Sequence, residues 1–170
     1  MLTTNEITEI FYLCDDFSKE FDKSFKKHIL QSDNGKKTRN KPGKLSHSEV
    51  MTILISFHLG GNRNLKHYYL FYVSQHLNKE FPKLVSYNRF VELQQQVAFP
   101  LVLFLKLCRM GECTGISFVD STTLKACHIK REKQNKVFSG IATKGKSTIG
   151  WFFGFKLHII INDKGEILSF

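Results

Sequence analysis

Apolar residues recur at helical intervals through the first part of the chain. Thr3 and Glu6 have the Thr-x-x-Glu spacing of a capping box. The stripe after them predicts a long first helix; its members are Ile7, Ile10, Phe11, Cys14, Phe17, Phe21 and Phe25. Ser46 and Glu49 repeat the capping-box spacing before a second stripe, Val50, Ile53, Leu54 and Phe57. Gly60 and Gly61 follow it, where a helix C-cap is expected.

Two prolines divide the rest of this helical region. Helices are predicted from Asn64 to Asn78 and from Ser86 to Gln96, with Pro82 between them. Pro100 is predicted to open a separate apolar segment that ends at Cys108, because proline favours the first position of a helix. Residues 1–110 are therefore predicted to form a helical region.

After Gly111 the helical spacing disappears, and β-branched and aromatic residues become frequent. Residues 116–119 predict a short buried strand that ends at Asp120. Residues 151–162 predict a second strand, 163–165 a turn, and 166–170 a third strand that forms a hairpin with the second. Four aromatic residues of the second strand are interpreted as core rather than as base-stacking groups: Trp151, Phe152, Phe153 and Phe155. Residues 111–170 are thus predicted to be a second domain, with the boundary near 109–115.

The composition is that of a folded, basic protein. Of 170 residues 42% are hydrophobic, which is enough for a core, and the net charge of +10 favours a polyanionic partner such as nucleic acid. The N-terminus has acids in its first turns and lacks the pattern of a secretory signal. The apolar stretch 98–108 is too short to span a bilayer and contains Lys106. We therefore expect a soluble, intracellular protein with no membrane partner.

The charge is concentrated after Asp120. Residues 121–156 contain eight lysines and arginines and a single acid, Glu132. A carboxylate at the end of a strand can hold a divalent metal, and neighbouring cations can hold a phosphate backbone. An Asp at the end of a strand is, however, commonly a turn former or a helix cap, and this alternative stays open for Asp120. A second basic segment, 32–44, is interpreted as either a solvated linker or a DNA contact; its cations are Lys36, Lys37, Arg39, Lys41 and Lys44.

The four cysteines do not have the spacing of a disulfide framework, so reduced thiols are expected. A zinc site is a less favoured interpretation of Cys108, Cys113, Cys127 and His128, because their spacing departs from the usual two pairs of ligands. Small buried thiols explain three of the four more simply.

A longer pattern resembles a known family. The run FVDSTTLKACHIKREKQNKVFSGIATKGKSTIGWFFGFKLHIIINDKGEILSF, residues 118–170, resembles the first half of the catalytic domain of DDE transposases from bacterial insertion sequences. Upstream, LSHSEVMTILISFHLGG (45–61), LKHYY (65–69) and FPKLVSYNRFVEL (81–93) resemble the helical region that accompanies this domain in one branch of the family.

The resemblance implies an α+β chain in which the helical region is followed by the first three antiparallel strands of an incomplete ribonuclease H-like fold. Asp120 matches the first acid of the family's Asp, Asp, Glu triad, which holds two Mg²⁺ ions. The implied reaction is DNA strand cleavage and transfer at the element's terminal inverted repeats and into target DNA. The implied complete enzyme is a homo-oligomer of the bacterial cytoplasm, associated with the nucleoid when bound to DNA.

The other two acids of the triad are not found in residues 1–170. Asp163 and Glu166 are rejected as substitutes, because the predicted strand places them on the order of 30 Å from Asp120 at about 3.3 Å per residue. Residues 1–170 are therefore expected to be inactive alone, with an open apolar sheet edge that lowers stability or promotes association.

Other basic residues are predicted DNA contacts, with a solvated loop, an exposed sheet face or a capped surface helix as the alternatives. They are Lys125, Lys130, Arg131, Lys136, Lys144, Lys146, Lys156, His158 and Arg89. Lys156 and His158 alternate with apolar neighbours and share one face of the second strand. These two residues are therefore expected either to contact DNA or to lie near the active site. A non-catalytic DNA-binding module, such as a truncated regulator of the intact transposase, is the alternative function; a basic RNA-binding protein is a third.

Overall fold

The computed structural model describes residues 2–29 and 43–170, and for residues 25–29 the backbone alone. The chain forms two compact units, Met1–Cys108 and Arg109–Phe170. The boundary between them in the sequence lies close to the residue where the helical pattern ends. Four cations of the predicted basic loop, Lys36, Lys37, Arg39 and Lys41, and the side chain of Phe25 lie outside the described residues, so DNA contact through this loop stays a prediction.

Both predicted capping boxes are confirmed. Helix α1 spans Thr4–Ile29; the backbone N–H of Thr3 donates to Glu6 Oε2 over 2.7 Å, and the N–H of Glu6 donates to Thr3 Oγ1 over 3.3 Å. Helix α2 spans His47–Leu59, and the same reciprocal pair joins Ser46 and Glu49. Gly60 caps α2 and Gly61 follows with φ of +66°, a conformation that favours glycine.

The predicted helix from Asn64 to Asn78 is present, but it is not regular. It consists of α3 (Leu65–His67), a π-helical segment (Tyr68–Val73) and α4 (Ser74–His76). Asn64 caps its start, because its side chain accepts a hydrogen bond of 3.0 Å from the N–H of His67. The π-helical segment places Tyr68, Tyr69 and Val73 in the core.

The prediction that Pro100 begins a separate segment was wrong. Helix α5 runs without interruption over Tyr87–Cys108 and contains Pro100. Proline there removes one intrahelical hydrogen bond, but Pro100 is buried together with Phe90, Leu93, Val97 and Phe104. Burial of this apolar face offsets the lost bond.

Helix α5 is also longer than the apolar stretch 98–108 considered in the sequence. By length and composition it is the one helix among the described residues that would suffice to cross a membrane. The core helices of soluble proteins have the same length and composition. In α5 the buried residues pack into the helical unit, where the ring of Phe90 stacks on that of Tyr69 with centroids 4.3 Å apart.

Tyr68 gives the helical unit a measurable alkaline sensitivity. Its ring is 3% exposed, and burial, followed by the neighbouring Tyr72, raises the pKa of Tyr68 from 10.0 to about 12. The folded state therefore retains a proton that the unfolded state loses. The free energy of unfolding should fall by about 2–3 kcal/mol as the pH rises through this window, and be unaffected by this group below it.

Urea denaturation at pH values below 10 and near 12 tests this expectation. The Tyr68→Phe variant should lose less stability at high pH than the unmodified chain. Tyr12→Phe, at a position that is 68% exposed, should leave the alkaline loss as it was. Equal losses in the Tyr68→Phe variant and the unmodified chain would contradict the assignment.

The second unit is an antiparallel sheet of four strands: β1 (Ser117–Cys127), β2 (Thr143–Ser147), β3 (Gly150–Asn162) and β4 (Ile167–Ser169). Strand β3 is central, with β1 on one side and β2 and β4 on the other. A short 3₁₀ helix, Ile129–Gln134, follows β1. The α+β class, the antiparallel strands and the turn at 163–165 are confirmed, consistent with an incomplete ribonuclease H-like fold.

Two features of the sheet differ from the prediction. Strand β2 was not predicted, because its sequence TKGKS has no apolar residue; it forms by pairing with β3 across a tight turn that ends at Gly150, whose φ is +128°. Strand β1 was predicted to be short, buried and to end at Asp120. It instead continues to Cys127, and Phe118 and Val119 are 56% and 70% exposed.

Candidate active site

Asp120 lies in the interior of β1 and is the only acidic residue in the four strands, all of which the structure describes. It pairs with Ile159 of β3. Its side chain is exposed, and its Oδ1 accepts a hydrogen bond of 2.7 Å from the backbone N–H of Ser121. A carboxylate is thus held at a defined position on an extended, hydrogen-bonded strand.

The surroundings of Asp120 are apolar. Directly paired residues of antiparallel strands share a face of the sheet, and so do residues two apart on one strand. The face of Asp120 therefore also carries Phe118 of β1 and Leu157, Ile159 and Ile161 of β3. Aspartate is disfavoured in strands, and no cation of the described residues forms an ion pair with Asp120. The position is hard to explain as a contribution to strand stability.

Asp163 and Glu166 lie nearer to Asp120 than the sequence predicted. Ser117 pairs with Asn162, so the turn begins about 10 Å from Asp120 along the strand, at about 3.3 Å per residue, and not 30 Å. The error arose because the sequence does not show which end of β3 lies beside Asp120.

Both of these acids have structural partners in the hairpin. Asn162 is 1% exposed, and its Nδ2 donates to Glu166 Oε2 over 2.7 Å and to the carbonyl of Glu112 over 3.1 Å. Its Oδ1 accepts hydrogen bonds from the N–H groups of Lys164 and Glu166. Thr114 Oγ1 donates to Asp163 Oδ1. Because Asn162 pairs with Ser117, it points to the opposite face from Asp120.

The oxygen donor of Asp120 suits a hard divalent cation such as Mg²⁺. Within residues 2–29 and 43–170, however, no group of three or more His, Cys, Asp or Glu side chains is arranged to hold a metal. The residues that the structure describes thus contribute one candidate ligand, Asp120. The candidate zinc ligands do not come together either, and the expectation of three buried thiols was wrong: Cys14 is buried, Cys108 and Cys113 are exposed, and Cys127 is partly exposed.

Lys156 and His158 share a face of β3, as predicted, but it is the face opposite Asp120. Lys156 pairs with Thr123 and His158 with Ser121, and the adjacent Lys125 pairs with Gly154. Lys125, Lys156 and His158 thus form a basic row beneath the sheet when Asp120 is viewed from above. A place for Lys156 and His158 beside Asp120 on its own face is excluded by this register.

Most of the other cations lie away from Asp120. Lys144 pairs with Phe153, which is six residues along β3 from Ile159 and so about 20 Å from Asp120 at about 3.3 Å per residue. These cations follow Asp120 closely in the sequence. In the structure, the pairing of β1 and β2 with β3 places them far from Asp120. Also in this region, in or near β2 and the 3₁₀ helix, are Lys130, Arg131, Lys136 and Lys146.

Trp151 was predicted to be a core residue, and this was wrong. It is 59% exposed, whereas the next residue, Phe152, is 7% exposed. Phe153 and Phe155 are half-buried. Alternation along β3 puts Trp151 beside Lys146, to which it is paired, and the Nζ atoms of Lys144 and Lys146 lie 5.7 and 6.0 Å from the centroid of its ring. The sequence signal for this site was the pair of lysines in TKGKS.

Arg89 lies in the first turn of α5, where a helix start was predicted. Its Nη1 donates to Glu92 Oε2 over 2.6 Å, and both side chains are largely exposed. The guanidinium therefore already has a carboxylate partner. An exposed pair of this kind adds little stability, so phosphate could replace Glu92 at little cost.

Comparison with known proteins finds one similar family. Residues 110–170 match a family model described as a transposase DDE domain. Neither a curated protein nor a solved structure matches the chain. The matched residues coincide with the four-stranded unit and include Asp120. Residues 110–170 are thus similar to the transposase DDE domain family, and this similarity supports the interpretation of the second unit as part of a DDE-type transposase.

Proposed function

We propose that this protein acts in DNA transposition and that Asp120 is the first metal-binding acid of a DDE active site. The observation that supports this most directly is the position of Asp120 on an apolar face of the sheet within the matched region. It is an exposed acid that forms no ion pair with any cation in the described part of the chain. A divalent metal, with Mg²⁺ expected and two ions in the complete site, activates the attacking oxygen and stabilises the leaving oxygen when bound. Asp120 would supply one carboxylate to that site.

DNA is the proposed partner, as element ends and as target. The cations form two surfaces of the second unit: the row of Lys125, Lys156 and His158 on one face, and the group around β2 and the 3₁₀ helix. Arg89 of the helical unit would add a contact by exchanging Glu92 for a phosphate. Phosphate contacts of this kind fix the position of the protein on DNA without reading sequence. A homo-oligomer in the bacterial cytoplasm is the expected state of the complete enzyme.

The 170-residue chain should bind DNA without cutting it. Its described residues bring together no group of three metal ligands, whereas its net charge is +10. Gel-shift and cleavage assays on inverted-repeat DNA, with Mg²⁺ and at several salt concentrations, test both halves, because phosphate contacts weaken steeply as salt rises. A retarded complex with intact strands is expected.

Cleavage or joining by residues 1–170 would show that the active site is more complete than we infer. Absence of binding at moderate salt would contradict DNA as the partner. Stronger competition by RNA than by inverted-repeat DNA would favour an RNA-binding protein instead.

A non-catalytic regulator is the second candidate function. It is favoured by the net charge of +10 together with the single candidate metal ligand among the described residues. Co-expression with an intact transposase distinguishes the two roles. A regulator lowers transposition in proportion to its DNA binding, and the Asp120→Asn variant of this chain should lower it to the same extent.

A further inference from the structure

Trp151 is the only tryptophan of the chain and one of its most exposed aromatic side chains. It stands at the beginning of β3, directly after the turn from β2. Two ammonium groups lie near its ring, those of Lys144 and Lys146. Cation–π attraction of this kind orients the lysines about the indole, but it leaves 59% of the residue accessible.

An open groove adjoins this ring. Its volume is about 710 Å³, and three of its six lining residues are lysines: Ile129, Lys130, Glu132, Lys133, Lys144 and Trp151. Glu132 is the only acid of residues 121–156, and its Oε2 lies 3.7 Å from Lys144 Nζ. One carboxylate cannot balance three lysines, so the groove attracts anions.

We propose that this groove binds an unpaired stretch of DNA, with one base stacked on the indole of Trp151 and the flanking phosphates held by Lys130, Lys133, Lys144 and Lys146. A cationic groove with an aromatic platform is the arrangement that binds single strands without sequence preference. Duplex DNA fits less well, because the faces of its bases are stacked on one another. The choice of DNA as the ligand rests on the proposed function. Trp151 lies eight residues along β3 from Ile159, the partner of Asp120, and so about 26 Å from Asp120 on the same sheet face, at about 3.3 Å per residue.

The tryptophan fluorescence of the protein reports on this site alone, because Trp151 is the only tryptophan in the sequence. Titration of the 170-residue chain with a thymidine oligonucleotide should quench the emission in a saturable manner. A duplex of equal length should quench less. Inorganic polyphosphate, which has the charge but no base, should compete with the oligonucleotide without quenching. Equal quenching by polyphosphate, or none by the oligonucleotide at low salt, would overturn the proposal.

Substitutions give a second measurement that does not depend on emission. With a labelled oligonucleotide, Trp151→Leu should weaken binding by about 5- to 150-fold, which is the worth of one stacked base. Trp151→Phe should retain most of the affinity, and it also shows whether an aromatic ring at this position keeps the fold. Lys164→Gln, which removes one charge at the opposite end of β3, is the matched control and should change binding much less than Lys144→Gln.

Unchanged affinity of Trp151→Leu for the oligonucleotide would overturn the proposal. A polyglutamate peptide that displaced the oligonucleotide and bound the chain more tightly would also overturn it, because the groove would then be a surface for an acidic protein. Failure here is distinguishable from failure of the proposed function. If the chain binds the inverted-repeat duplex but Trp151→Leu binds the oligonucleotide as well as the unmodified chain does, the role in transposition stands without this site. If the oligonucleotide binds through Trp151 but no duplex is retained in gel shifts, this site stands and the role in transposition loses its support.

Discussion

Replacing Asp120 by asparagine is expected to lower strand cleavage by about a thousandfold or more in an enzyme that contains residues 1–170 together with the other acids of the site. Asparagine keeps the size and one oxygen of the side chain but loses its charge. A metal ligand of this kind supports several kcal/mol of transition-state stabilisation, and about 4 kcal/mol corresponds to about a thousandfold in rate. Binding of element-end DNA should be nearly unchanged, because Asp120 contributes no cation.

The experiment compares transposition frequency and cleavage of element ends for three variants. Asp163→Asn and Glu112→Gln are the matched controls, since each removes one carboxylate from the same unit, at the hairpin turn and in the segment before β1 respectively. Both should retain activity within about tenfold, the scale of a supporting contact. Full activity of Asp120→Asn would refute the assignment, and inactivity of a stably folded Asp163→Asn would mean that the turn acid belongs to the active site after all.

Gly154→Val should unfold much of the second unit. A Cβ on Gly154 would lie 2.0 Å from the carbonyl oxygen of Leu124 and 2.9 Å from the N of Ala126. These are backbone atoms of the neighbouring strand at the bulge between Lys125 and Cys127, so no side-chain rotation relieves the clash. We expect a loss above about 3 kcal/mol, at the upper end of the cost of overpacking, and Gly154→Ala should show most of it.

Hydrogen exchange of the β1 and β3 amides measures this loss in the second unit separately from the helical unit. Gly115→Ala is the control, because an added Cβ there meets no atom within 4 Å and the only cost comes from its φ of +96°. That cost is about 1–2 kcal/mol. Amide protection in β1 and β3 that survived Gly154→Val would show that the strands separate easily at the bulge.

Local patterns were sufficient wherever a feature depends on near neighbours in the chain. The Thr3–Glu6 and Ser46–Glu49 capping boxes were confirmed because a reciprocal pair three residues apart forms from local geometry alone. The turn at 163–165 was confirmed for the same reason, since Gly165, with φ of +80°, supplies the conformation that the turn requires.

Local patterns failed where the partner lies elsewhere. Pro100 would end an isolated helix, but burial against the helical core keeps α5 continuous. The segment TKGKS has no apolar pattern of its own, and only the edge of β3 makes it a strand. Trp151 is a large aromatic residue of the kind that usually lies in a core. Its burial depends on whether another element packs over the start of β3, and within the second unit the side chain stays 59% exposed.

The candidate site divides in the same way. The sequence by itself carried the resemblance to DDE transposases, the choice of Asp120 as a candidate metal ligand and the basic character of the residues that follow it, because residue types and their order carry that information. Only the tertiary structure decided which cations share a face with Asp120, how near Asp163 lies, and that Trp151 is open to solvent. Strand register determines these distances and faces, and a shift of one residue would reverse every face. Register depends on pairing between distant segments, so no local pattern specifies it.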